Sequence, residues 1–176
     1  MLTLEQIAQR ASREARGDNR VLIGSGLAAK VRPYLPKRVK VVPGGNGARS
    51  VDVAFYSLEE IADREAPAHR PRAGNKPSND GLNERSVTAR RTVVLVAGSP
   101  DRKADISRLG RLSEELDKDH MELRVITDLA VLDLTADGIT IREVAPGVSA
   151  REVQQATGAA LLAGPDLCEI EVDKST

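Results

Sequence analysis

Two glycine-rich turns hold the residues of this chain best suited to chemistry, and both offer backbone rather than side chains. Gly24-Ser25-Gly26 follows the apolar run Val21–Ile23, and Gly44-Gly45-Asn46-Gly47-Ala48-Arg49-Ser50 follows Val39–Val42. Glycines at the end of a strand allow a sharp turn and bring amide N–H groups close to an anion or a carbonyl oxygen. Neither turn completes a phosphate motif. The first lacks the third glycine and the distal acid of a dinucleotide fingerprint, and the second lacks a Gly-Lys-Ser/Thr ending. A tight strand-to-helix turn accounts for Gly24 and Gly26.

The other reactive side chains are scattered. His69 and His120 stand alone without metal-ligand spacing and read as surface histidines, so no metal is expected. Cys168 is the single cysteine, which excludes an internal disulfide and agrees with a reducing compartment. It reads as a small, partly buried residue near the end of the chain. Lys and Arg total 26, matched by 26 Asp and Glu, so no global field draws the chain to nucleic acid or to an anionic membrane. Tyr34, Phe55 and Tyr56 are the whole aromatic set, too few for a base-stacking platform. The start, MLTLEQIAQRASREAR, has no apolar core and carries two acids, unlike a signal or transit peptide. No apolar run reaches bilayer length, so the expected compartment is the cytoplasm.

The elements that must position the two turns can be read from periodicity and punctuation. Thr3 with Gln6 makes a capping box, and Leu4, Ile7, Ala8, Ala11 and Ala15 keep helical spacing up to Gly17. Strand Val21–Ile23, the glycine turn, a helix from about Leu27 ended by Pro33 and Pro36, and strand Val39–Val42 form one strand–helix–strand unit. That is the grammar of a parallel α/β sheet. A third strand is expected at Val51–Tyr56, then a helix over SLEEIADREA with Ser57 and Glu60 as its capping box.

From Pro67 to Arg91 the large aliphatic residues are only Leu82 and Val87, and residues 69–91 carry six Arg or Lys against two acids. This reads as a flexible polar insert at 67–91 within a single domain spanning 1–176. Thr92–Gly98, TVVLVAG, is a continuous apolar run fit for a strand buried on both faces. Ile106, Leu109, Leu112 and Leu116 then keep helical spacing, and Leu123–Ile126 follows as a strand. Leu129–Leu134 and Ile139–Val144 flank Thr135-Ala136-Asp137-Gly138, a hairpin signal. Ser149 and Glu152 cap a helix of about two turns that Gly158 stops. Ala159–Ala163 is expected as a short buried strand ending before Gly164-Pro165.

The last of these devices resemble the C-terminus of the 3-oxoacid CoA-transferase β subunit. The matching features are the run ITDLAV, the Asp-Gly hairpin, APGV with its capping serine, the Ala-Thr-Gly helix end and the closing Pro-Asp-Leu. The N-terminal unit VLIGSGLAAKVRPYLP resembles the same family at Gly24, Gly26, Leu27, Val31, Tyr34, Leu35 and Pro36. It departs at Leu22 and Ala28, where the family usually has Asn and Pro. Lys103-Ala104-Asp105-Ile106 echoes a family Lys-Ile segment weakly. The resemblance covers residues 4–47 and about 92–167.

The resemblance implies an open, mainly parallel sheet flanked by helices, and a subunit that moves CoA between short-chain or 3-oxo carboxylic acids. A coenzyme A thioester is then the substrate, with no permanently bound cofactor, and an α subunit or a second copy is the partner. In the family a glutamate carboxylate attacks the acyl-CoA thioester, passing through a mixed anhydride to a glutamyl-CoA thioester. That glutamate sits in a Ser-Glu-Asn-Gly motif after the second strand. Asn46 and Gly47 match this motif, but the nucleophile position is Gly45, which has no side chain to acylate. Gly24, Gly26, Asn46 and Gly47 are thus the implied substrate-binding residues, with no catalytic residue in place. The family's Gly-Gly-His-Ile-Asp run and its Gly-Met-Gly-Gly-like loop have no counterpart between Gly47 and Thr92. The alternative is a catalytically inactive relative that serves assembly or regulation. Loss of the family's middle segment is also expected to leave apolar strand surface at Thr92–Ala97 uncovered.

Overall fold

A computed structural model describes residues 1–43, 50–65, 88–98, 101, 103–107, 109–110, 122–135 and 137–172. These residues form one eight-stranded sheet in the order β2-β1-β3-β4-β5-β6-β7-β8. The strands are β1 (Arg20–Ile23), β2 (Lys40–Val42), β3 (Ser50–Ser57), β4 (Thr88–Leu95), β5 (Glu122–Ile126), β6 (Ala130–Thr135), β7 (Gly138–Val144) and β8 (Leu161–Glu169). The pairs from β2 through β5 are parallel, and β6 lies antiparallel to both of its neighbours. The expected mainly parallel α/β sheet is therefore what forms.

Helix α1 (Leu4–Ser12) starts as its sequence dictates. Thr3 Oγ1 accepts from the Gln6 N–H at 3.2 Å, and Gln6 Oε1 accepts from the Thr3 N–H at 2.9 Å. It ends sooner than the spacing up to Gly17 suggests. From Arg13 to Ala15 each N–H bonds the carbonyl three residues back, so the last turn tightens into 3-10 geometry. Ala15 stays buried nonetheless.

The segment after the first glycine turn also departs from expectation. Gly26–Tyr34 is a 3-10 helix rather than an α-helix. Pro33 lies inside it and removes one donor, and a rise of about 2.0 Å per residue carries the chain further than an α-helix would. This helix and α1 cover one face of the sheet, where Ile7, Ala8, Ala11 and Val31 pack on Val21, Phe55, Val93 and Leu95. On the other face, α2 (Leu58–Glu65), the helical residues 103–107 and 109–110, and α3 (Ala150–Thr157) place Leu58, Ile61, Ile106, Leu109 and Val153 against Val94, Val125 and Leu132.

Strand β4 begins at Thr88, four residues before the expected Thr92. Of the polar segment 67–91, residues 67–87 lie outside the described residues, and Thr88–Arg91 belong to the sheet. The early start has a physical reason. Ala89 and Arg91 pair with Val51 and Val53 of β3, which extends the ladder past the apolar run. The expectation that Thr92–Ala97 lacks cover is overturned. Val93, Val94 and Leu95 are fully buried, because β4 is a central strand with elements of this same chain on both faces.

The hairpin β6–β7 pairs Thr135 with Gly138 as its turn sequence predicts. Capping of α3 by Ser149 and Glu152 is reciprocal, and Gly158 closes it in the left-handed conformation at φ 61°. Strand β8 differs from the expectation of a short buried strand. It runs through Gly164-Pro165 to Glu169 as the sheet edge and is largely exposed. Pairing with β7 jumps from Ile141↔Ala163 to Glu143↔Cys168, so residues 164–167 form a bulge. A proline is tolerated in such a place because an edge bulge asks no ladder donor of it. Among the described residues no helix is long and apolar enough to cross a membrane.

Candidate functional site

The chain leaves β1 for β2 on one side and then returns to place β3 on the other, so the strand order reverses between β1 and β3. In open parallel sheets the crevice at the carboxyl ends of such strands is where ligands bind. Gly24-Ser25-Gly26 lies there, directly after β1, and β3 delivers Tyr56 and Ser57 to the same edge.

Both glycines are required by close approach. The Gly24 N–H donates to the Phe55 carbonyl at 2.8 Å, extending the β1–β3 ladder by one bond. A Cβ at Gly24 would stand 2.0 Å from Glu60 Oε2 and 3.0 Å from the Phe55 carbonyl oxygen. Gly26 has φ +61°, and a Cβ there would meet Ser57 Oγ at 2.9 Å. The side chains that crowd the glycines also bond to the turn. Ser57, 1% exposed, donates through Oγ to the Ser25 carbonyl at 2.5 Å and accepts from the Ala28 N–H at 3.0 Å. Glu60 Oε2 accepts from the Ser25 N–H at 3.1 Å.

Thus Ser57 and Glu60, expected to cap their own helix, reach across the switch point and hold the turn after β1. The Ser-x-x-Glu spacing was the available signal, but it does not distinguish a local cap from a bond to a neighbouring loop. The Gly26 and Leu27 amides open the 3-10 helix and have no acceptor inside it. Of the sequence-derived site residues, the fold brings Gly24 and Gly26 to this crevice. Val42, the last residue of β2, is in register with Leu22, so β2 ends at the same edge of the sheet. Gly45, Asn46 and Gly47 themselves lie outside the described residues, as do His69 and His120.

A second polar cluster occupies the sheet face beyond α1, and sequence reasoning missed it. Arg10 binds Glu14 at 2.7 Å and Glu143 at 2.5 Å. Glu14 also accepts from Arg91 at 3.0 Å and from Arg124 at 2.9 Å. Arg124 and Arg142 each reach Asp133 at 2.7 Å, and Arg91 pairs with Glu122. Burial alone would push the Glu14 carboxyl up, but Arg124 and then Arg10 hold it below the usual carboxylate range. Asp133 is lowered in the same way, with Arg124 and then Arg142 outweighing burial. For Arg10 and Arg124, burial opposes the charge, and their carboxylate partners reverse this and raise both.

This network floors an open groove of about 910 Å³ that includes Asp166 and Cys168. Its carboxylates are saturated by guanidinium groups, which suits holding α1 to the sheet rather than attacking a substrate. Cys168 is exposed rather than partly buried, because β8 is an edge. Among the described residues no group of three or more His, Cys, Asp or Glu could hold a metal ion.

No protein-family model matches the chain. Solved structures do. The decarboxylase AibA/AibB aligns with TM-score 0.60 at 16% identity, over 98% of this chain and 90% of that one. Glutaconate coenzyme A-transferase from Acidaminococcus fermentans aligns with TM-score 0.56 at 15% identity, over 98% and 90%. The acyl-CoA transferase YdiF from Escherichia coli O157:H7 aligns with TM-score 0.57 at 16% identity, over 97% of this chain but only 44% of its own. What the chain shares with these proteins is an architecture, an α/β sheet used by CoA-transferases and by a decarboxylase alike.

Proposed function

We propose that the chain is a CoA-transferase-like subunit that takes an acyl-CoA thioester at the crevice between the carboxyl ends of β1 and β3. The observation that carries this is the Gly24–Gly26 turn at the topological switch point, with the start of a helix behind it, in a fold matching transferase chains along 98% of its length. Helix-start amides suit a carbonyl or phosphate oxygen, and both are present in a CoA ester. The resemblance to the β subunit supports the finer reading: transfer of CoA between short-chain or 3-oxo acids, with Asn46 and Gly47 beside Gly24 and Gly26 in the site. Under it, CoA is substrate rather than resident cofactor, and an α-type chain or a second copy completes the enzyme. The YdiF chain is more than twice as long as the region aligned, which suits a second half supplied in trans.

Gly45 favours a second reading, a relative that binds CoA esters or a partner without forming the glutamyl thioester. The decarboxylase AibA/AibB supports it, as its name describes different chemistry on the same fold. One experiment separates the two. Purified chain, alone and co-expressed with an α-type subunit, is mixed with acetoacetyl-CoA and succinate while thioester exchange is followed. Exchange by the pair supports the transferase. CoA binding without exchange, or stable association with the α-type subunit without exchange, supports the second reading, and the absence of CoA binding and of association together removes both.

A further inference from the structure

The turn after β1 does not hold its shape by itself. Among the described residues, side chains at the junction of β3 and α2 bond to it. Ser57 ties the Ser25 carbonyl to the Ala28 N–H, bridging the turn to the first residues of the 3-10 helix. Glu60, one helical turn on, binds the Ser25 N–H and fills the space a side chain at Gly24 would need. Ser57 is almost wholly buried, so its bonds exchange little with water. A carboxylate accepting from a backbone N–H makes a charge-assisted bond, stronger than a neutral one.

We propose that Glu60, supported by Ser57, is a positioning residue: it fixes the Gly24-Ser25-Gly26 turn so that the amides of Gly26 and Leu27 face the crevice. This rests on the reading of that crevice as an acyl-CoA site. The geometry implies an order among substitutions. Glu60→Gln keeps an oxygen for the Ser25 N–H, whereas Glu60→Ala removes it. Gly24→Ala would evict the Glu60 carboxylate, the far end of a flexible side chain, and would also press on the Phe55 carbonyl oxygen at 3.0 Å. Gly24→Ala and Glu60→Ala therefore break the same contact, and their effects on the ligand should not add.

The test is calorimetric binding of free CoA and of acetoacetyl-CoA to the full chain. Glu60→Ala should weaken binding about tenfold, as expected when a binding group is misplaced, and Glu60→Gln should stay close to the unsubstituted chain. The Gly24→Ala/Glu60→Ala double variant should bind no worse than the weaker single variant. Ser149→Ala, which loosens α3 away from the turn, should lower the melting temperature without changing CoA affinity, separating positioning from stability. If Glu60→Ala binds CoA as the unsubstituted chain does, the positioning role is overturned and the acyl-CoA site stands. If the unsubstituted chain binds neither probe, the site reading is overturned, and the positioning role falls with it.

Discussion

Glu14, in the tightened turn after α1, accepts two hydrogen bonds of 2.9 Å from Nη1 of Arg124 on β5, 110 residues away in sequence. The same carboxylate takes Arg10 and Arg91, so one acid bridges three guanidinium groups at the seam between helix and sheet. An ion pair of this kind is a weak source of net stability, because desolvation offsets much of the attraction. Breaking it from one side is a different matter. Glu14→Ala leaves three partly buried cations without their common partner and should cost about 3–5 kcal/mol in chemical denaturation. A loss below about 1 kcal/mol would show that water replaces the carboxylate easily.

Acid should act on the same seam. Glu14 and Asp133 both have carboxyls lowered in the folded chain. A lowered folded value means that their contribution is fully present above the unfolded value, about 4, and is lost as pH falls through the folded value. The melting temperature should therefore hold steady from neutrality down to about pH 5 and decline below about pH 4. In Glu14→Gln the start is less stable and the decline shallower. Parallel declines in the two proteins would assign acid lability to other carboxylates.

Gly158 offers a local test. It ends α3 at φ 61°, where a Cβ also meets the Lys103 side chain at 2.9 Å. That contact is with a flexible methylene chain and can relax, so the left-handed backbone sets the cost. Gly158→Ala should lose about 1–2 kcal/mol in urea unfolding. Gly158→Asn should lose less, since Asn tolerates this conformation. Equal losses for the two would point to the Lys103 contact instead.

These residues also show what a sequence can and cannot disclose. Caps, turns and buried strands are signalled within a few residues, so Thr3–Gln6, Ser149–Glu152, Asp137-Gly138 and Val93–Leu95 were legible. Pairing across the fold is not. Nothing in the local sequence says that Glu14 meets Arg124, or that Glu60 turns from its own helix toward Ser25. Edge strands mislead for a related reason. Gly164-Pro165 reads as a stop because proline cannot serve a central ladder, yet β8 has a free side and absorbs it as a bulge. The turn after β1 was legible as backbone, in Gly24 and Gly26, and the side chains that hold it, Ser57 and Glu60, were not.

Chemical trapping asks whether the chain itself supplies a nucleophilic carboxylate. Gly45 has none, and among the described residues Asp52, Glu14, Asp133 and Glu60 are already engaged. Asp52 accepts from the Arg20 N–H at 2.7 Å near the start of β1, at the end of the sheet opposite the crevice. Glu14 and Asp133 are surrounded by arginines, which lower their basicity and leave little freedom to approach a thioester. Glu60 is at the crevice but is held on the Ser25 amide. Incubation of the chain alone with acetoacetyl-CoA, followed by borohydride reduction and intact-mass measurement, should thus leave its mass unchanged. A reduced adduct mapped to Glu60 would make that residue the nucleophile rather than a positioning group. An adduct on Asp52, Glu14 or Asp133 would move the reacting centre away from the β1–β3 crevice.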